Sequence, residues 1–136
     1  MKKRVYLLLL TLLLATCAHA RHVQKVLVLH SYHQSYKWTD DIDEGIHAVL
    51  KERFGEVEIF VEYMDTKRYS HPFHQEDLIA TYIKKYLNIT FDLIITTDNN
   101  AFEFIKLHHA SVFHNAPVVF TGVNYLSPSD LKGTSN

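Results

Sequence analysis

Four short polar segments carry the residue types that can hold a small molecule. They are Ser31-Tyr32-His33 with Trp38, Asp65-Thr66-Lys67, Asp98-Asn99-Asn100, and Gly122-Val123-Asn124. Rings such as Tyr32, Tyr36 and Trp38 either stack on a flat or cationic ligand or pack a long loop over the domain. Asp98 suits a ligand ammonium or the cap of a helix. Asn99 and Asn100 offer amides to a carboxylate or amide, assisted by a helix N-terminus behind them. Gly122 either lets a ligand approach the backbone closely or simply permits a turn.

Catalytic patterns are missing by comparison. The chain has no G-x-S-x-G elbow, no glycine-rich phosphate loop and no paired carboxylates after its first apolar run. Ser31 and His33 are too close along a strand-to-loop transition to form a nucleophile and base. Ten histidines invite a metal site, with His30-x-x-His33, His71-x-x-His74 and the adjacent His108-His109 as the spacings to weigh. None belongs to a zinc motif, and no cysteine stands near them. The expectation is a non-enzymatic chain without metal or cofactor.

The polar segments are positioned by apolar runs that read as strands. KVLVLH at 25–30 is nearly unbroken, as a strand buried on both faces of a parallel sheet must be. VEIFVEYM at 57–64 alternates, with Glu58 and Glu62 on the face of Phe60, and suits an edge. DLIITT at 92–97 and PVVFT at 117–121 supply two more. Between them lie helical patterns. Thr39 is the expected N-cap of the first, followed by acidic residues and the stripe Ile42, Ile46, Val49, Leu50 and Arg53, with Gly55 as its stop. Pro72 opens the second, whose expected stripe is Ile79, Tyr82, Ile83, Tyr86 and Leu87. The third is expected over 101–109, capped by the Asp98-Asn99-Asn100 segment. Alternating strands and helices with long connections predict an α/β fold, a Rossmann-like parallel sheet in the order 2-1-3-4. In such a sheet ligands collect at the carboxyl ends of the strands, where strand order reverses. All four polar segments fall there.

Residues 1–20 read as a leader: Lys2-Lys3-Arg4, an apolar run over 5–15, then Ala18-His19-Ala20. This is the pattern of a secretory signal peptide, and the run is too short to span a bilayer, which takes about 20 residues. Cleavage after Ala20 is the favoured outcome; lipidation of Cys17 or retention of the leader as an anchor are the alternatives. Without it 116 of the 136 residues remain, with eleven basic against fifteen acidic side chains, a formal charge of −4. That balance, with no basic stripe, argues against a nucleic-acid partner. Cys17 is the sole cysteine, so no disulfide is available to the rest.

The blocks VLVLHSYHQSYKWTDDIDEGI, EYMDTKR, FDLIITTDNNAFEFI and APVVFTGVN, in that order, resemble the extracytoplasmic sensor domain related to ABC-transporter substrate-binding proteins. Such domains stand at the front of bacterial histidine kinases and diguanylate cyclases, and the match covers about 25–136. The resemblance implies a type I periplasmic-binding-protein architecture of two Rossmann-like lobes closing over a ligand. Residues 21–126 would form the N-terminal lobe, and 127–136 a tail or the start of the crossing to a second lobe. It further implies ligand contacts from Ser31, Tyr32, Trp38, Asp65, Asp98, Asn99, Gly122 and Asn124. The expected role is small-molecule sensing in the periplasm, coupled to an inner-membrane signalling module. Solute binding for an ABC importer is the alternative, and dimerisation through the interlobe surface stays open.

Overall fold

The structure, a computed structural model, describes residues 22–70, 72–128 and 130. The leader at 1–20 with Cys17, His71 and most of the tail after 128 lie outside the described residues. The elements run β1 (Gln24–His30), α1 (Lys37–Phe54), β2 (Val57–Tyr63), α2 (Pro72–Tyr86), β3 (Leu93–Thr97), α3 (Asp98–Phe113) and β4 (Val118–Thr121). The strands form one all-parallel sheet ordered β2-β1-β3-β4, the Rossmann-like arrangement the sequence predicts.

β1 sits centrally because its sequence is apolar on both faces. Leu27 and Leu29 join Ile94, Phe104 and Tyr86 on the side covered by α2 and α3. Val26 and Val28 join Ile95 and Leu50 on the side of α1. All four β1 side chains are buried, each contributing about 1.5–3 kcal/mol relative to exposure. β2 takes the edge, and there Glu62 turns inward to accept hydrogen bonds from Tyr86 and Lys85.

The helices depart from their expected limits for identifiable reasons. α1 begins at Lys37, so Thr39 lies inside it, buried, with its hydroxyl unbonded among the described residues. The N-cap residue is Tyr36, which makes no side-chain cap bond, and Asp40 reaches back to accept the Ser35 backbone N–H ahead of the helix at 2.9 Å. Gly55, at φ 72°, ends the helix as expected and donates to Lys51 O at 2.9 Å. Val49 is exposed, because α1 covers only β1 and β2 and needs no stripe wider than Ile46 and Leu50. In α2 Tyr82 and Tyr86 are buried while Ile83 is exposed, as is Leu87 just past the end of the helix. α3 is longer than expected, entering helix directly after β3 and burying residues through Phe113 between the sheet and α2.

Register is what matters for a site. His30 lies opposite both Tyr63 and Thr97, and Thr97 lies opposite Thr121. The four strands therefore end in one row, and the segments that follow them share one rim.

Candidate ligand-binding rim

At the centre of the rim, between the ends of β1 and β3, stands Asp98. It is the first residue of α3 and adopts φ 67°, a left-handed conformation unusual for a side chain other than glycine. This single residue turns the chain from strand into helix, and it lies buried at the rim, with 7% of the residue exposed. Trp38, on the first turn of α1 and half exposed, donates its indole N–H to Asp98 Oδ2 at 3.0 Å. Burial raises the Asp98 carboxyl above its ordinary range, against the opposing pull of Trp38, Lys67 and His30. Gly122, at φ 72°, passes alongside. A Cβ there would lie 3.5 Å from Asp98 N and Oδ1, an ordinary contact distance. Backbone conformation, not space, calls for glycine at this turn.

Beside Asp98 the loop after β1 brings Tyr32 and Tyr36 edge to face, with ring centroids 5.5 Å apart. Lys67, from the loop after β2, places Nζ 4.5 Å and 4.4 Å from the two centroids and donates to Tyr36 Oη at 3.0 Å. Its closeness to the phenol oxygen puts the ammonium toward that edge of Tyr36, so the contact there is mainly a hydrogen bond. Burial, then the nearby Asp98 charge, raises the Tyr32 phenol above its ordinary value.

Other expected contact residues are committed to the protein itself. Ser31 is fully buried; its hydroxyl donates to Thr97 O at 2.7 Å and accepts the Ala101 N–H at 2.8 Å. Asp65, at φ 55°, pairs with Arg68 at 2.6 Å and lies 3.3 Å from His33 Nδ1. Asn99 and Asn124 bind each other, with Asn99 Nδ2 donating to Asn124 O at 3.1 Å and Asn99 Oδ1 accepting the Asn124 N–H at 3.1 Å. Asn100 donates to Thr66 Oγ1 at 2.6 Å, and Thr66 donates to Ser31 O at 2.7 Å. These bonds hold the loops after β1, β2 and β4 onto the start of α3. Of the expected set, Trp38 and Asp98 bond each other across the rim, Tyr32 is held by ring contacts and not by such a bond, and Gly122 adjoins Asp98.

Beneath the rim lies a network that sequence reading did not find. His30 Nδ1 is 2.9 Å from Thr97 Oγ1, and His30 Nε2 is 2.9 Å from Asp43 Oδ1 on α1. An ionised carboxylate only accepts, so Nε2 carries the proton and Nδ1 accepts from Thr97. His47 closes the chain through the Asp43 carbonyl at 2.9 Å. The hydroxyl–imidazole–carboxylate order is that of a hydrolytic triad, but Thr97 is 1% exposed and His30 is stacked on Tyr63, with ring centroids 5.1 Å apart. No substrate reaches that oxygen. Nothing in the sequence marks this pairing, because the apolar run that places His30 gives no hint of which helix residue will lie over it.

An open cleft of about 450 Å³ lies to one side, between α2 and α3, with Thr66, His74, Leu78, Asn100, Glu103 and Leu107 among its lining. It does not include Trp38 or Asp98. Its one carboxylate, Glu103, is already paired with Lys106 at 3.2 Å, so the rim carries the stronger case for recognition. No group of three or more His, Cys, Asp or Glu side chains is placed to hold a metal ion among the described residues. Comparison of the chain with protein-family models, with curated proteins and with solved structures gives no match.

Proposed function

We propose that this chain is the ligand-binding lobe of an extracytoplasmic small-molecule sensor, a binding module and not an enzyme. The observation that carries the reading is the gathering of Trp38, Tyr32, Lys67 and the buried Asp98 at the end of the sheet where strand order reverses between β1 and β3. That is where open parallel sheets receive ligands, and aromatic walls with few polar groups are the usual make-up of such sites. The basic and apolar leader supports export, and the resemblance of four ordered blocks supports a sensory role, in which ligand closure shifts a conformational equilibrium read out by a membrane module.

Two measurements test this. Alkaline phosphatase fused after Asn136 is expected to be active in a bacterial host and inactive when residues 1–20 are deleted; activity without them would refute export. Calorimetry of the chain against amino acids, purines and small amines is expected to find binding that is weak, because one lobe supplies one wall. Submicromolar affinity for a single compound would overturn the assignment to one wall of a two-lobed cleft.

A further inference from the structure

The rim's polar contacts, followed one by one, leave a single buried carboxylate that has only one side-chain donor among the described residues. Asp65 has Arg68 and His33, Asp43 has His30 and His47, and Glu62 has Lys85 and Tyr86. Asp98 differs. Among the described residues its carboxylate is bonded only to the neutral indole N–H of Trp38, with Lys67 and His30 acting on it from farther away. A carboxylate this buried is expensive unless something pairs with it. Its backbone is also held left-handed, a strained state that clusters at binding sites.

Resting on the rim as the binding site, we infer that the ligand carries a protonated nitrogen, an amine or amidine, which pairs with Asp98 while its body lies against Trp38 and Tyr32. The chemistry of the surroundings fits. Trp38 is half exposed, offering a ring face beside the carboxylate it positions. Gly122 puts no Cβ beside Asp98 Oδ1, where one would lie at 3.5 Å. Asp98 itself already supplies the negative charge that the start of α3 favours, so an anionic group placed there meets a like charge; the rim's cation, Lys67, is engaged with Tyr36 Oη and the two tyrosine rings. Lys67 shows that the aromatic wall accepts a cation, its ammonium lying within 4.5 Å of the Tyr32 ring. The bond from Trp38 makes Asp98 a brace for α1 as well, so the test must read charge preference and not binding alone.

Trp38 is the chain's only tryptophan, so its emission reports the rim directly. Purified full chain would be titrated with phenethylamine, with neutral 2-phenylethanol and with phenylacetate. The inference expects saturable change with the amine and an affinity on the order of tenfold above that for the alcohol, as a charge-assisted bond provides. Asp98→Asn, checked for folding by circular dichroism, is expected to bring amine and alcohol to parity. The comparison of probes on the unaltered chain stands even if that variant does not fold. Equal affinities, or phenylacetate binding best, would overturn the cationic-ligand inference and leave the rim as a binding site. No change in Trp38 emission with any probe would overturn the rim reading, and this inference with it.

Discussion

Ser31→Ala removes one oxygen atom that joins β1 to the end of β3 and the first turn of α3. The hydroxyl donates to Thr97 O at 2.7 Å and accepts from Ala101 N at 2.8 Å, in a position with no exposure. Each such bond is worth about 1 kcal/mol net, and an interior group left short of a partner adds about 1 kcal/mol or more, so the loss comes to about 2–3 kcal/mol. A domain of this size has about 5–15 kcal/mol in all, and its melting temperature should fall by about 10 °C or more. Urea unfolding followed by circular dichroism measures the first quantity and a thermal scan the second. Ser31 also fixes the loop carrying Tyr32, through the bonds that Thr66 N–H and Oγ1–H make to Ser31 O at 2.9 Å and 2.7 Å. Those bonds use the backbone and survive the substitution, so affinity for the amine probe should change little in the folded variant. A stability loss under about 0.5 kcal/mol together with abolished binding would refute the reasoning. Ser31 would then be a ligand contact and not a structural joint.

Asp98→Asn is expected to raise the urea midpoint at neutral pH while weakening amine binding. The folded carboxyl titrates above its ordinary value because burial opposes its charge, so the ionised form costs stability at pH 7 and the penalty fades as pH falls through the folded value. Asn keeps an acceptor for Trp38 and tolerates φ 67°; an unchanged or lower midpoint would count against the argument. His30 behaves oppositely. Burial lowers its pKa from 6.5, with Asp43 opposing that shift, so the unfolded chain takes up the proton first as pH falls. Its stabilising effect is complete above about pH 6.5 and is lost below it, and the difference in unfolding free energy between about pH 7.5 and pH 5.5 should shrink in His30→Gln. Tyr82→Phe should hold or raise stability by up to about 1 kcal/mol in the same urea assay, since the buried Tyr82 hydroxyl has no partner among the described residues. Lys67→Met should tighten phenethylamine binding about two- to threefold by removing a nearby like charge; weaker binding by Trp38 fluorescence would mean that Lys67 contacts the probe.

The order of the strands was readable because each carries its exposure in its composition. An unbroken VLVL run has to be central, and a strand with Glu58 and Glu62 on one face belongs at an edge. Helix limits were less readable, since periodicity reports which residues are apolar and not how many neighbours cover them. Val49 belongs to a stripe in the sequence yet is 64% exposed, because among the described residues α1 has sheet on one side and no second helix packed beside it. α3 begins at Asp98, ahead of the expected Ala101, for a different reason. Asp98-Asn99-Asn100 looks like a capping segment, but the N-cap residue Thr97 makes no side-chain cap bond; Ser31 Oγ from the end of β1 takes the Ala101 N–H, and a single left-handed residue carries the strand straight into the helix.

Locating the site and assigning its contacts draw on different information. The rim could be located because a parallel sheet delivers every loop after a strand to the same end, and the residue types of those loops can be read in order. Which of those residues remain free for a ligand depends on pairings between loops far apart in the chain. Asn99 meets Asn124 and Asn100 meets Thr66 across 25 and 34 residues respectively, and neither pairing leaves a trace in local sequence. Ser31, Asn99 and Asn100 have the donors and acceptors of contact residues, and the same groups serve to fasten three loops and the start of α3 into one surface. Asp98 is separated from them by its charge, since it is a buried carboxylate whose one donor among the described residues is the neutral Trp38 indole. A rim built this way puts most of its polar residues into rigidity and leaves a few for recognition, so substitutions of the first kind should register in unfolding experiments and those of Asp98 in ligand charge preference.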